Sequence, residues 1–409
     1  MQLTGLLSFA ALALPLASAS SKGNSSEPKP DKDGKYWIKT DHLKLGFVPF
    51  GAAVSDVRLN DKYGIERDVV AGFDNATYYS IDRQKPNFGN VPGRYANRIK
   101  NATFEIDGKW YNTSANDNDG LDTLHGGKDG WGLRNWTVSS YSDESITFSI
   151  LDTDGENGFP GDVQSYVTYT VDGWDWHIKI IALSLTKKTP IMLTSHTYWN
   201  LDGFANNETS TALNHTLYMP YSGQRVGVDN ILIPTGEILP NAKGSINDFW
   251  SEPKQIGANW EDEDLLGNCG FNCTGYDNCW TVNRDQLSPY DWRTTEPVAS
   301  LSSAWSGIKL DVYSDQDAFQ MYSCGFQNGS MALKTSQGID GDEDFPRVIP
   351  QYGCVVLEPQ DYIDGINHPE WRREKKQIFG PGDDPYVFQA KYSFSVVGDE
   401  KEECAKDEL

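Results

Sequence analysis

A chain of 409 residues with 38% apolar and 23% charged residues can bury a sizeable core. Its formal charge of −23 argues against nucleic acid and anionic membrane as partners, and against phosphorylated substrates unless Arg and Lys cluster locally. Aromatics reach 12%, with 13 Trp and 20 Tyr, which suits β-structure and serves either as core filling or as flat surfaces on which sugars stack.

In chain order, the first element reads as an export signal. Leu6 to Leu14 is an apolar stretch too short to span a bilayer, and Ala17-Ser18-Ala19 supplies an A-x-A cleavage site, so residues 1–19 form the signal peptide. No later stretch has the length of apolar residues a span requires, so no membrane insertion is expected. Nine N-x-[ST] sequons, at Asn24, Asn75, Asn101, Asn112, Asn135, Asn207, Asn214, Asn272 and Asn328, fit a glycoprotein of the secretory pathway. The six Cys all lie between Cys269 and Cys404, so up to three disulfides would brace the later part of the chain, with connectivity open. Residues 401–409 are a tail ending Lys406-Asp407-Glu408-Leu409, the address read by a KDEL-type retrieval receptor, so the expected location is the endoplasmic reticulum lumen, with secretion as the other outcome.

Ser20 through Gly34 lacks apolar residues and reads as a flexible leader. Strand patterns follow. Phe104-Glu105-Ile106 and Lys109-Trp110-Tyr111 flank Asp107-Gly108, a hairpin signature. Ile146 to Ile150 alternates, Val163 to Val171 places every second residue on one face, and Asp172-Gly173 turns the chain into Trp174, Trp176, Ile178 and Ile180. Ile308–Tyr313 and Tyr386–Tyr392 continue the period of two nearly to the end, while helical periodicity is scarce. The fold class is all-β: one large antiparallel domain over roughly residues 35–400.

Five stretches carry chemistry. Leu193-Thr194-Ser195-His196-Thr197-Tyr198-Trp199-Asn200-Leu201 sets a histidine, the side chain best suited to proton transfer near neutral pH, beside two aromatics. Asn97 and Arg98 in Gly93–Ile99 offer donors in several directions, as a polyhydroxylated ligand requires. The glycines after His125, Gly126-Gly127, let backbone approach closely so that the ring can face a cleft. Asp277, in Gly275–Trp280, is an acceptor for adjacent sugar hydroxyls, on a loop that a bridge among Cys269, Cys273 and Cys279 would fix. Val355-Val356-Leu357-Glu358 is an apolar strand ending in a carboxylate that is costly to bury unless paired or functional. Taken singly, each except the last reads at least as readily as a structural feature.

Together, GRYANRI, LHGG, SHTYWNL, GYDNCW, FQMYSCG and VVLEPQ, in that order over nearly the whole mature domain, resemble the aldose 1-epimerase family, the galactose mutarotases. The resemblance implies a large β-sandwich, the galactose mutarotase-like supersandwich, with a sugar cleft on one broad curved sheet. It implies His196 as general acid, Glu358 as general base, and Asn97, Arg98, His125, Asp277 and Gln320 as the residues that hold and polarise a glucose- or galactose-type aldose. Trp199 stands where phenylalanine is common, Pro359 where a small hydroxyl residue is usual, and Gly338–Asp344 reads as an insert, all bearing on sugar specificity.

Anomer interconversion removes the anomeric hydroxyl proton while the ring oxygen is protonated, opens the ring to the aldehyde, and recloses it on the other face with the roles exchanged. It requires one base and one acid, expected on opposite sides of the ring, with no metal or organic cofactor. The His residues lack metal-ligand spacing. The alternatives are a carbohydrate-binding protein without turnover, which would lack Glu358 or His196, and a glycoside hydrolase or lyase, which would use Glu358 and Asp277 as a carboxylate pair.

One geometric expectation comes from numbering. Gln320 with Glu358 and Cys324 with Cys354 share one sum, as facing residues of antiparallel neighbours do, and the spacing of four keeps both pairs on one face. This predicts the strand register and a Cys324–Cys354 bridge beside the site.

Overall fold

The alternation from Ile146 to Ile150 becomes the strand Ser145–Asp152, which pairs with Val163–Asp172, itself paired over its full length with Asp175–Ser184. In the computed structural model, which describes residues 29–82, 84, 86–284 and 291–397, these three strands belong to a nine-stranded antiparallel sheet. Tyr386–Val396 and Ile308–Ser314 continue that sheet beside Asp175–Ser184. Asp172 pairs with Asp175, so the two-residue turn is Gly173-Trp174, one position later than the sequence pattern places it. The Phe104 hairpin forms as expected: Ile106 faces Lys109, and Asp107 and Gly108 both take positive φ, as a type I′ turn demands.

A second, six-stranded antiparallel sheet carries the site. Its relevant strands are β1 (Tyr198–Trp199), β2 (Asp277–Thr281), β3 (Ala318–Tyr322) and β4 (Val355–Gln360), in the spatial order β1-β4-β3-β2. The two sheets pack face to face. Ile178, Ile180, Leu310, Phe388 and Tyr392 from one meet Trp199, Trp280, Phe319, Met321 and Leu357 from the other in a single core. Trp131, Trp176, Trp199 and Trp280 are fully buried, so much of the aromatic content is core filling. Smaller sheets, including the four-stranded sheet Tyr36–Lys39, Lys44–Val48, Ala53–Asn60 and Glu66–Asp68, complete the body.

Within the expected leader, Asp31 caps the turn into the first strand. Its carboxylate accepts from the Lys35 amide at 2.9 Å and from the Trp37 indole at 2.7 Å. The signal peptide, Asn24, Cys404 and the terminal Lys406–Leu409 lie outside the described residues. Among those described, no helix is long and apolar enough to cross a membrane.

Candidate active site

Because side chains alternate along a strand, the residues of β2, β3 and β4 between those facing the core project from the opposite face of the six-stranded sheet. Among them are Asp277 and Cys279 on β2, Gln320 and Tyr322 on β3, and Glu358 and Gln360 on β4. Gln320 lies opposite Glu358, the register expected from the numbering. Four residues along the same face Cys324 and Cys354 form a disulfide, with Cα atoms 5.5 Å apart. Asp277 lies opposite Tyr322, and the Gln320 side-chain amide donates to the Asp277 carboxylate at 2.6 Å. A Cys269–Cys273 disulfide braces the loop ahead of β2, leaving Cys279 as a buried thiol.

His196 sits just before β1 in a segment clamped on both sides by one loop. Its amide donates to the Asn90 carbonyl and its carbonyl accepts from the Gly89 amide, each at 2.9 Å. The ring stacks on Tyr198, with centroids 5.0 Å apart and 29° between planes, and its Nε2 stands 3.3 Å from Glu358 Oε1. Both side chains are buried. Trp199, next in sequence, points the other way and packs on Trp176, Tyr392 and Phe394 in the core. Consecutive strand residues cannot share a face, so Tyr198 takes the place beside the histidine and Trp199 does not.

The facing wall is built from two loops. Asn97 and His125 both adopt positive φ and hold each other: the His125 amide donates to the Asn97 carbonyl at 3.0 Å, and the Asn97 amide donates to His125 Nδ1 at 3.1 Å. With Nδ1 accepting, the neutral ring carries its proton on Nε2. The His125 ring meets His196 edge-on, with centroids 5.0 Å apart. The close backbone approach expected of the following glycines is observed, since a Cβ on Gly126 would fall 1.8 Å from the Gly93 carbonyl. Arg98 donates from Nε to Asp117 at 2.9 Å, with the Asp122 carboxylate 3.7 Å away. Arg94, in the same motif, is structural: it is buried and paired with Asp152.

These contacts set the charge of the cleft. Burial, reinforced by the Asp277 carboxylate, pushes the Glu358 carboxyl well above its ordinary range, against a weaker pull from Arg98. Burial also raises Asp277, partly offset by Arg98 and by the hydrogen bond from Gln320. Burial brings His196 down to about 4, and burial together with the neighbouring His196 and Arg98 takes His125 well below the usual imidazole value. Both shifts favour the neutral forms, so burial works against an ion pair in the His196–Glu358 contact. His196 Nδ1, Glu358 Oε2 and Gln320 Oε1 are buried with no hydrogen-bond partner among the described residues. Among the described residues, no group of His, Cys, Asp or Glu is arranged to hold a metal ion.

All seven residues singled out in the sequence thus fall around one site, four on or beside the β1-β4-β3-β2 face and three on the neighbouring loops. Tyr198, Tyr322, Asp117 and Asp122 escaped the sequence reading. Tyr322 had a legible signal, two residues beyond Gln320 on one strand, whereas the Asp117 and Asp122 contacts depend on loop geometry.

The sequence pattern described as aldose 1-epimerase matches residues 35–384. The chain belongs to the aldose 1-epimerase family. A probable aldose 1-epimerase from Arthroderma benhamiae is 40% identical over 387 residues, covering 88% of this chain and 86% of the relative. The galactose mutarotase of Homo sapiens is 31% identical over 366 residues, covering 89% and 94%. The crystal structure of an aldose epimerase homologue from C. elegans superposes with a TM-score of 0.73 at 28% identity, covering 89% of this chain and all of the other. The protein is accordingly an isomerase of the epimerase class with the mutarotase-like β-sandwich fold. The two side chains that the resemblance implies as acid and base lie side by side, 3.3 Å apart. The two oxygens that exchange protons are bonded to the same anomeric carbon, so neighbouring groups reach both.

Proposed function

We propose that this aldose 1-epimerase interconverts the α- and β-anomers of a free glucose- or galactose-type aldose, with Glu358 and His196 as its proton-transfer pair. The observation that carries this reading is the 3.3 Å contact between His196 Nε2 and Glu358 Oε1. One shared proton can lie on either partner. With carboxylate and imidazolium, Glu358 takes the anomeric hydroxyl proton while His196 protonates the ring oxygen, and the C1–O5 bond breaks. That leaves a carboxyl and a neutral imidazole, the forms that burial favours and the state needed to reclose the ring. Glu358 then returns a proton to the aldehyde oxygen while His196 accepts the one from the C5 hydroxyl. Rotation about C1–C2 between the two steps exposes the other aldehyde face.

Asn97, Arg98, His125, Asp277 and Gln320 hold the sugar in this scheme. The His125 Nε2 proton and the Arg98 guanidinium supply donors where charge develops, and the hydrogen-bonded Gln320–Asp277 pair supplies acceptors for ring hydroxyls. The buried, unpartnered Gln320 Oε1 and Glu358 Oε2 support a hydrogen-bonding ligand of this kind. Passage through the secretory pathway, retrieval by a KDEL-type receptor and N-glycosylation belong to the same proposal. Of the sequon asparagines described, seven are exposed and Asn75 is half-buried. Polarimetry of freshly dissolved α-glucose and α-galactose tests the activity. Faster equilibration with wild type, lost in Glu358→Gln and His196→Asn, is expected. No acceleration of any common aldose by folded wild type would defeat the proposal.

A further inference from the structure

The six-stranded sheet continues past the proton-transfer pair toward the rim, and the side chain it presents there is Tyr322. On β3 it lies one pleat repeat beyond Gln320, about 6.8 Å along the strand. It therefore stands one strand across from Glu358 and about the span of a pyranose away from it. Asp277 lies directly opposite on β2, and on the other side β4 separates Tyr322 from Tyr198. A tyrosine standing upright from a sheet lifts its hydroxyl to the height of a ring lying on that sheet.

The state of that hydroxyl follows from its contacts. The Phe326 amide donates to Tyr322 Oη at 2.8 Å, so one oxygen lone pair is already engaged as an acceptor. The remaining proton is free to donate, and among the described residues no acceptor for it is recorded. Phe326 also lays its ring against Tyr322, with centroids 6.2 Å apart and planes 24° apart, while remaining 66% exposed itself. Backbone and ring together fix the tyrosine as a wall. Burial and the nearby Asp277 carboxylate push the phenol up from its ordinary value, so it stays protonated at every working pH. The adjoining Asp277 accepts hydrogen bonds, so Tyr322 supplies the complementary donor at that end of the cleft.

We infer that Tyr322 is a further substrate-binding residue that sets sugar specificity. In this role its hydroxyl donates a hydrogen bond to the C4 or C6 hydroxyl, at the end of the aldose remote from C1. The inference rests on the mutarotase reading above and adds a residue and a direction to it.

The test is initial-rate polarimetry of wild type and Tyr322→Phe on α-glucose, 4-deoxyglucose and 6-deoxyglucose. A lost neutral hydrogen bond raises KM about 3- to 10-fold. The expected result is that increase on glucose for the Phe variant, with kcat within about twofold of wild type. Wild type should show a similar increase on the one deoxy sugar that lacks the acceptor, and on that sugar the variant adds no further penalty. The wild-type arm needs no variant, so it stands even if Tyr322→Phe folds poorly, which near-UV circular dichroism checks. A folded variant that raises KM equally on all three sugars, or lowers kcat at unchanged KM, overturns the inference. So does wild type that treats all three alike. Wild type without activity on glucose or any other common aldose would instead defeat the mutarotase reading.

Discussion

Replacing Glu358 by glutamine separates activity from stability. Gln is nearly isosteric and can keep its place beside His196 Nε2, but it neither takes nor returns a proton at the anomeric oxygen. General acid–base catalysis contributes about 10²- to 10⁴-fold, so a loss of about 3–5 kcal/mol in transition-state stabilisation is expected in kcat, with KM little changed. Stability should move the opposite way. The folded-state pKa of Glu358 is raised by burial and by Asp277, so its contribution to stability is fully present below the unfolded value of about 4.5 and is lost as pH rises toward the folded value. Each pH unit over which the unfolded chain has released the proton while the folded chain keeps it costs the wild type about 1.4 kcal/mol. Glu358→Gln has no proton to release and escapes that loss. Urea titrations at pH 4 and pH 7, paired with polarimetry at pH 7, read both effects. The variant should be inactive, match wild type at pH 4 and exceed it at pH 7. A folded variant keeping a tenth of wild-type kcat, or one less stable than wild type only at pH 7, would refute the reasoning.

His196→Asn should lose activity by a similar factor, and the double variant with Glu358→Gln should lose little more, because the pair acts as one unit. Its stability signature is the reverse. The folded pKa of His196 is lowered from 6.5 to about 4, so its contribution is present above 6.5 and disappears as pH falls toward 4. Urea midpoints of His196→Asn relative to wild type should therefore rise between pH 7 and pH 4. A constant difference would contradict a buried neutral imidazole. Asp277→Asn keeps an oxygen for the Gln320 amide but loses the charged acceptor, and should raise KM for glucose about tenfold with kcat nearly intact; a purely kcat effect in polarimetry would count against a binding role. Removing the disulfide in Cys324→Ser/Cys354→Ser opens a loop with a sequence separation of 30 and should cost about 3.6 kcal/mol in the unfolded-state entropy treatment, read as a lower urea midpoint. An unchanged midpoint would show that the bridge does not restrain the unfolded chain.

Much of the scaffold was legible because a β-strand writes its burial into a period of two. Ile146–Ile150, Val163–Val171 and Ile308–Tyr313 became strands with the faces they announced, and the Asp107-Gly108 turn declared itself through residues that tolerate positive φ. The pairing of Gln320 with Glu358 and the Cys324–Cys354 bridge were legible for a related reason: antiparallel register is a fixed sum, and two pairs obeyed it. Motif order over the chain marked all seven cleft residues.

What the sequence left open depended on distances between segments far apart in the chain. Leu193 to Leu201 contains a histidine, a tyrosine and a tryptophan in suggestive company, yet only the pairing of β1 with β4 decides that Tyr198 stands beside His196 and Trp199 turns into the core. The charge state of His196 and Glu358 was equally out of reach. Neither side chain is unusual alone; burial removes the water that would stabilise either charge, and the fold places Glu358 near the Asp277 carboxylate and against an imidazole that can share its proton. Local pattern, then, determined strands, register and candidates, because those follow from neighbours in sequence. Packing decided which faces meet and in which direction each titration is pushed, because desolvation and contact exist only once the sheets have closed.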